Sequence, residues 1–190
     1  MFYNMLHPHM AKYTNTDGTE AYSNGISAGK SMSGNVDLEY EDVPIYGDGV
    51  RVDPGKMLIG GKIKLGVTRL AMPAQALIGG HTYTAAGTDP VTPAKIVSKR
   101  EDTPNEVGYG FVAQERDEDK AVHTYALFYP RVQFVSPNAS YKTKEKTSSY
   151  QTPTIEGDML EPVSGEFEEK TEHATVAAAL AYLKTKLSIA

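Results

Sequence analysis

The stretch Ser31-Met-Ser-Gly-Asn-Val-Asp-Leu-Glu-Tyr-Glu41 decides how the rest of the chain is read. Met32, Val36, Leu38 and Tyr40 fall on even positions, and Ser31, Ser33, Asn35, Asp37, Glu39 and Glu41 on odd ones. Successive side chains of a strand point to opposite faces, so period two with one apolar and one acidic face predicts a half-buried β-strand. Its acidic face must meet water, another chain or a channel. The alternation stops at residue 42. Residues 42–57 hold Pro44, Gly47, Gly49, Pro54 and Gly55 interleaved with Ile45, Tyr46, Val50 and Val52, which predicts a loop long enough to suggest a function of its own. Large apolar groups scattered along a loop lack cover in a monomer, so this segment is expected to dock on a neighbour. Alternation returns over residues 58–70. Ile59, Ile63, Leu65 and Val67 take one face; Lys62, Lys64 and Thr68 take the other. The two lysines sit where they can pair with the acids of the first strand.

On the N-terminal side, residues 11–15 and 20–24 flank Thr16-Asp-Gly-Thr19, and Asp-Gly is a strong hairpin-turn signal because both central positions need positive φ. Tyr13 and Tyr22 would pair across it. On the C-terminal side, Met72-Pro-Ala-Gln-Ala-Leu-Ile-Gly-Gly80 has proline early and glycine at the close, the order expected of a short helix. Residues 81–94, rich in Gly, Thr and Pro, read as loop. Residues 107–115 and 121–135 read as two strands joined by the charged tip Arg116-Asp-Glu-Asp-Lys120. The second is apolar on both faces (Tyr125, Leu127, Tyr129 against Val122, Ala126, Phe128), as in a strand buried on both sides. Pro130 cannot donate to a ladder and predicts a bulge or a change of sheet. A further strand is expected within 148–160 and an acidic strand or loop over 161–169. The tail carries Val176, Leu180, Leu183 and Leu187 at helical spacing, with Lys184 and Lys186 near its end, and predicts a helix over about 172–187 capped by Thr171. The expected architecture is mainly β, a β-sandwich or partly closed barrel in one domain over 1–190, with one short helix, a long inter-subunit loop and a C-terminal helix.

Composition narrows the function. The chain has 190 residues, 19 Lys plus Arg against 24 Asp plus Glu, and a formal charge of −5, which argues against a protein built to grip phosphate backbones. It has no cysteine, which excludes disulfides, thiolate metal sites and cysteine nucleophiles. No apolar run is long enough for a membrane-spanning helix, and the first residues lack the basic start and apolar core of a signal peptide. The expectation is a protein kept in a cytosol, with no membrane partner.

No phosphate loop, G-x-G-x-x-G or G-x-S-x-G motif is present. His7-Pro-His9 offers two imidazoles, too few for a metal site. Asp117-Glu-Asp119 lacks calcium-loop spacing and reads as a solvated tip. His123 reads as a satisfied interior or interface histidine. Asn138-Ala-Ser140 fits a glycosylation sequon without a secretion signal, and Lys142-Thr-Lys-Glu-Lys146 reads as a solvated basic loop. No nucleophile–base pair or carboxylate pair stands out, so no enzyme, cofactor or metal is expected. The acidic face of Asp37, Glu39 and Glu41 with Lys62 and Lys64 has two readings: a solvated sheet face, or the lining of a pore that repels a polyanion.

The order of features resembles the major tail tube proteins of long non-contractile-tailed bacteriophages. The similarity runs over nearly the whole chain: the early tyrosine hairpin, the acidic alternating strand, Ile45-Tyr-Gly-Asp-Gly-Val-Arg-Val-Asp53, Gly60-Gly-Lys-Ile-Lys-Leu-Gly-Val-Thr-Arg-Leu70 leading into a short helix, Gly108-Tyr-Gly-Phe-Val112, Ala126-Leu-Phe-Tyr-Pro-Arg-Val-Gln-Phe134, Lys142-Thr-Lys144 and Pro153-Thr-Ile-Glu-Gly157. The segment 81–93 departs from it in its Thr and Pro content. The resemblance implies a β-sandwich or partly closed barrel that forms hexameric rings stacked into a DNA-conducting tube, assembled in a host bacterial cytoplasm and residing in the virion tail. It implies that Ile45, Tyr46, Asp48, Val50, Arg51, Val52 and Met57 belong to a loop reaching neighbouring subunits, and that the partners are other copies, tape-measure and terminator or tip proteins, and DNA in passage. Permanent contacts of that kind bury on the order of 2,000 Å² or more. The alternatives are a tube protein of a contractile tail or secretion apparatus, and a monomeric carbohydrate-binding β-sandwich.

Overall fold

The computed structural model describes residues 2–48, 50–53, 55–88, 91–137 and 152–189. The fold is mainly β: a large antiparallel sheet, not closed into a barrel, with two helices. β1 (Phe2–Thr16) and β2 (Thr19–Ser27) form the expected hairpin. Asp17 and Gly18 both take positive φ, 51° and 82°, and Tyr13 lies opposite Tyr22 with ring centroids 6.0 Å apart. β1 is longer than its sequence suggests. Its first residues pair with β11 (Glu106–Arg116), and a register shift between Leu6 and His9 absorbs His7, at φ 51°, and Pro8. His9 is buried there, and burial pulls its imidazole below the ordinary range.

β3 (Ser31–Asp42) pairs with β6 (Lys56–Val67), as the two alternating patterns require. Between them the expected loop is a correction: β4 (Ile45–Gly47) pairs with β5 (Val50–Asp53), so residues 43–55 form a hairpin arm prolonging the β3–β6 ladder. Glycine and proline conceal it by breaking the alternation at the neck. There Val43 N–H donates to the Gly55 carbonyl at 2.8 Å, and a Cβ on Gly55 would stand 2.3 Å from the Val43 carbonyl oxygen. Helix α1 (Met72–Gly79) starts with Pro73 and ends at Gly80, left-handed at φ 69°. The segment after it is a second arm rather than a plain loop: β7 (Thr82–Thr84) pairs with β10 (Lys95–Val97), and β8 (Gly87–Thr88) with β9 (Val91–Thr92).

β12 (Val122–Val135) is the spine of the sheet. Along one edge it pairs with β11. Along the other it pairs first with β14 (Glu169–His173) up to Phe128, then with β13 (Thr154–Met159) from Val132. The change of partner and a register shift both fall around Pro130, where the missing N–H predicts them. The shift reverses the phase: Leu127 and Tyr129 face the main core before it, Val132 and Phe134 after it. Arg131 holds the corner, donating twice at 2.8 Å to the Glu106 carboxylate and once at 2.8 Å to the Glu161 carbonyl.

The order across the sheet is β2-β1-β11-β12-β13-β6-β3. Its concave side encloses a core of Met10, Ile63, Leu65, Val107, Tyr109, Tyr129, Phe134 and Ile155. The opposite face of β1, β11 and β12 carries α2 (Val176–Lys186), through Val112, Ala126 and Phe128 against Ala179, Leu183 and Leu187. This helix starts later than its sequence suggests. Thr171 lies in β14 opposite Ala126, and the cap is Thr175, whose hydroxyl accepts from Ala178 N–H at 3.2 Å. The apolar stripe extends only from Val176, so residues 171–173 remain free to pair as a strand. Residues 138–146, with the sequon and the lysine run, lie outside the described residues. No helix among the described residues is long and apolar enough to cross a membrane.

Candidate assembly surface

β3 lies at the end of the sheet order, so one side of its twelve-residue backbone has no ladder partner among the described residues. Such an edge exposes N–H and C=O groups that another chain can pair with. The side chains on its two faces differ as the sequence requires. On the convex face Lys62 stands between Asp37 on β3 and Asp158 on β13, and Lys64 between Asn35 and Glu156. Lys64 Nζ is 3.2 Å from Glu156 Oε1, and Lys62 Nζ is 4.0 Å from Glu39 Oε1. Asn35 Nδ2 donates to Asp37 Oδ2 at 2.7 Å. These side chains are about half exposed, so each pair contributes at most ~1 kcal/mol and the charges still act on anything approaching the face. Acids outnumber lysines there, because Asp37, Glu39, Glu41, Glu156 and Asp158 share it with Lys62 and Lys64. The five residues proposed for this face are therefore brought together, with Glu156 and Asp158 added by a strand whose place the sequence does not reveal.

The concave flank of β3 is apolar and incompletely covered. Val36 and Leu38 are half-buried against the core, while Met32 and Tyr40 are more than half exposed. Past a bulge at Ile59 and Gly60, where Gly60 takes φ 155°, Met57 pairs with Glu41. Val43, Met57 and Ile59, about half exposed, add apolar surface at the base of the arm, where Met57 lies on the same face as Glu41. Ile45, Tyr46, Val50, Arg51 and Val52 lie on the paired strands of the arm, and Asp48 at its tip has φ 51°. The two groups of sequence-proposed residues thus belong to one hairpin: charged residues along its shaft, the other set from its base at Met57 to its tip.

Between β3 and the first residues of β1 lies an open cleft of about 530 Å³, lined mainly by Phe2, Met5, Met32, Val36, Leu38 and Phe111. One end is closed by the Ser31 hydroxyl, which donates to the Met5 carbonyl at 2.6 Å, and by Gly34, where a Cβ would stand 2.4 Å from Met5 Sδ. Sequence reasoning misses Phe2 and Met5, because nothing local marks the start of the chain as a strand; the even positions of β3 are the available signal. Glu168 sits at the cleft and hydrogen-bonds Tyr129, whose hydroxyl is pushed well above its ordinary range, chiefly by burial.

Two further histidines, His123 and His81, each pair with a carboxylate. His123 is half-buried rather than interior, because it lies past the end of the main core, on the face of Tyr125 and Leu127 and beside the β11–β12 turn. His81 pairs with Asp102 at 2.8 Å at the base of the second arm, and a backbone hydrogen bond from Lys99, followed by the one with His81, holds Asp102 below the ordinary carboxylate range. No group of three or more potential metal ligands occurs among the described residues. No protein-family model matches the chain, and no curated protein sequence matches it.

Proposed function

We propose that this chain is a structural protein that polymerises with its own copies into stacked hexameric rings, forming the DNA-conducting tail tube of a long non-contractile-tailed bacteriophage. The observation that carries the proposal is the β3 edge: long, without a ladder partner among the described residues, apolar on one flank and acidic on the other, and prolonged by an arm. An isologous β3–β3 pairing would set Asp37 and Glu39 of one copy against the acids of the other, which is unfavourable. Charge therefore favours a heterologous, head-to-tail contact, the kind that closes into rings or continues into filaments. With a net charge of −5 per chain, a lumen lined by the acidic convex face repels DNA and lets it slide. Tape-measure, terminator and tip proteins are the further partners of such a tube. Its place is the virion tail, after assembly in the bacterial cytoplasm.

Sedimentation velocity across a concentration series tests the proposal. Six-chain species or larger polymers are expected; a single monomer boundary throughout, together with glycan binding, transfers the assignment to a carbohydrate-binding module. The lumen has its own test. Tubes of the Asp37→Lys, Glu39→Lys variant are expected to assemble normally but to retain double-stranded DNA at least about tenfold more tightly at low salt, with the gain lost as salt rises. Unchanged DNA retention would place this face on the outside.

A further inference from the structure

His123 lies on β12 beside the β11–β12 turn, and its ring contacts two carboxylates from two other elements. Nδ1 is 2.7 Å from Glu172 Oε1 on β14, and Nε2 is 3.2 Å from Asp117 Oδ2 in the turn. Ionised carboxylates only accept, and a neutral imidazole has a single N–H. Both contacts are hydrogen bonds only when the ring carries two protons. We propose that Asp117, His123 and Glu172 form a proton-dependent clasp that fastens the β11–β12 turn and β14 to β12, closed while His123 is an imidazolium and released when it loses its proton.

The surroundings favour the charged ring. Glu115 is its cross-strand neighbour on β11, Arg116 follows beside it, and the turn adds Glu118, Asp119 and Lys120. On its own strand Tyr125 stacks on the imidazole, with centroids 6.4 Å apart, and the nearest cation on β14, Lys170, sits over that tyrosine at 3.9 Å rather than on either carboxylate. The hydrogen bond to Glu172, then that to Asp117, raises His123 above its ordinary value, and the hydrogen bond to His123 lowers Asp117. The signs follow. A raised histidine stabilises the clasp fully below its unfolded value, and that stabilisation is lost as pH rises through the raised one. A lowered aspartate contributes above its unfolded value and loses that contribution as pH falls through the lowered one. The clasp is thus closed over the mildly acidic to neutral range and opens at both extremes.

The test uses the full chain in whatever assembly it adopts. Histidine C2 hydrogen exchange read by mass spectrometry gives the midpoint of His123, and amide exchange gives the protection of residues 117–121 after correction for intrinsic rate. The comparison is Asp117→Asn with Glu172→Gln, which removes both charges. The Asp117→Asn change leaves the turn itself intact, since an amide oxygen can still accept the Ala121 N–H that Asp117 Oδ1 now accepts at 2.8 Å. The expected result is a wild-type midpoint above that of the double variant. Protection should fall through that midpoint by a factor of ten raised to the measured difference, by linkage. The double variant should lose this pH dependence. Equal midpoints, or protection that stays flat through the titration, would overturn the clasp.

Discussion

Replacing residues 43–55 by Asn-Gly is expected to abolish tube formation and leave the body folded. Asp42 and Lys56 are direct partners at the end of the β3–β6 ladder, so a two-residue turn closes the shortened hairpin in register. Asn-Gly adopts the type I′ geometry that matches strand twist. No residue of 43–55 is among the described members of either core, so stability should change by no more than about 0.5 kcal/mol. Assembly should respond very differently. A few central contacts carry most interface energy, and losing about 4 kcal/mol raises the concentration needed for assembly about a thousandfold. Sedimentation alongside a thermal melt separates the outcomes. Polymers at the wild-type concentration would remove the arm from the interface, and a lost melting transition would mean that it belongs to the fold.

Leu183→Ala should be the most damaging single change to the body short of its aromatic core. Leu183 is fully buried on β11, and the contact exists because β11 carries glycine where the helix crosses. A Cβ on Gly110 would lie 2.8 Å from Leu183 Cδ2 and 3.1 Å from the Leu127 carbonyl oxygen. The leucine therefore fills the hollow that the missing side chain leaves. Truncation should cost about 2–5 kcal/mol in urea denaturation. Gly110→Ala should also destabilise, since part of its clash is with backbone that cannot yield. The two changes should be less than additive, because the shorter side chain vacates the space that the new methyl group needs. Full additivity would mean that the helix does not rest on Gly110.

What is legible in the sequence depends on whether one physical rule acts alone. In β3 only the sheet period operates, so alternation alone places Asp37, Glu39 and Glu41 on one face and matches them with Lys62 and Lys64. The Asp17-Gly18 turn, the proline-to-glycine helix at 72–79, the corner at Pro130 and the stripe of α2 rest on equally local rules. The failures occur where tertiary pairing overrides local signals. The 43–55 arm looks like coil because Pro44 and Gly55 break the alternation at a narrow neck, while its pairing depends on a ladder begun twelve residues earlier. The start of β1 has no alternation to betray it and is a strand because β11 pairs with it. β14 hides in the helical stretch because Thr171 resembles a cap, although Thr175 performs that role. The cleft beside β3 is invisible for the same reason, since Phe2, Asn4 and Met5 of its lining come from that unmarked part of β1.

Self-assembly through the β3 edge and its arm is visible by negative-stain electron microscopy of the purified protein across a concentration series. Rings and hollow tubes are expected for the wild type and neither for the chain with residues 43–55 replaced. Dispersed monomers at every concentration, with no rings in either sample, would contradict it.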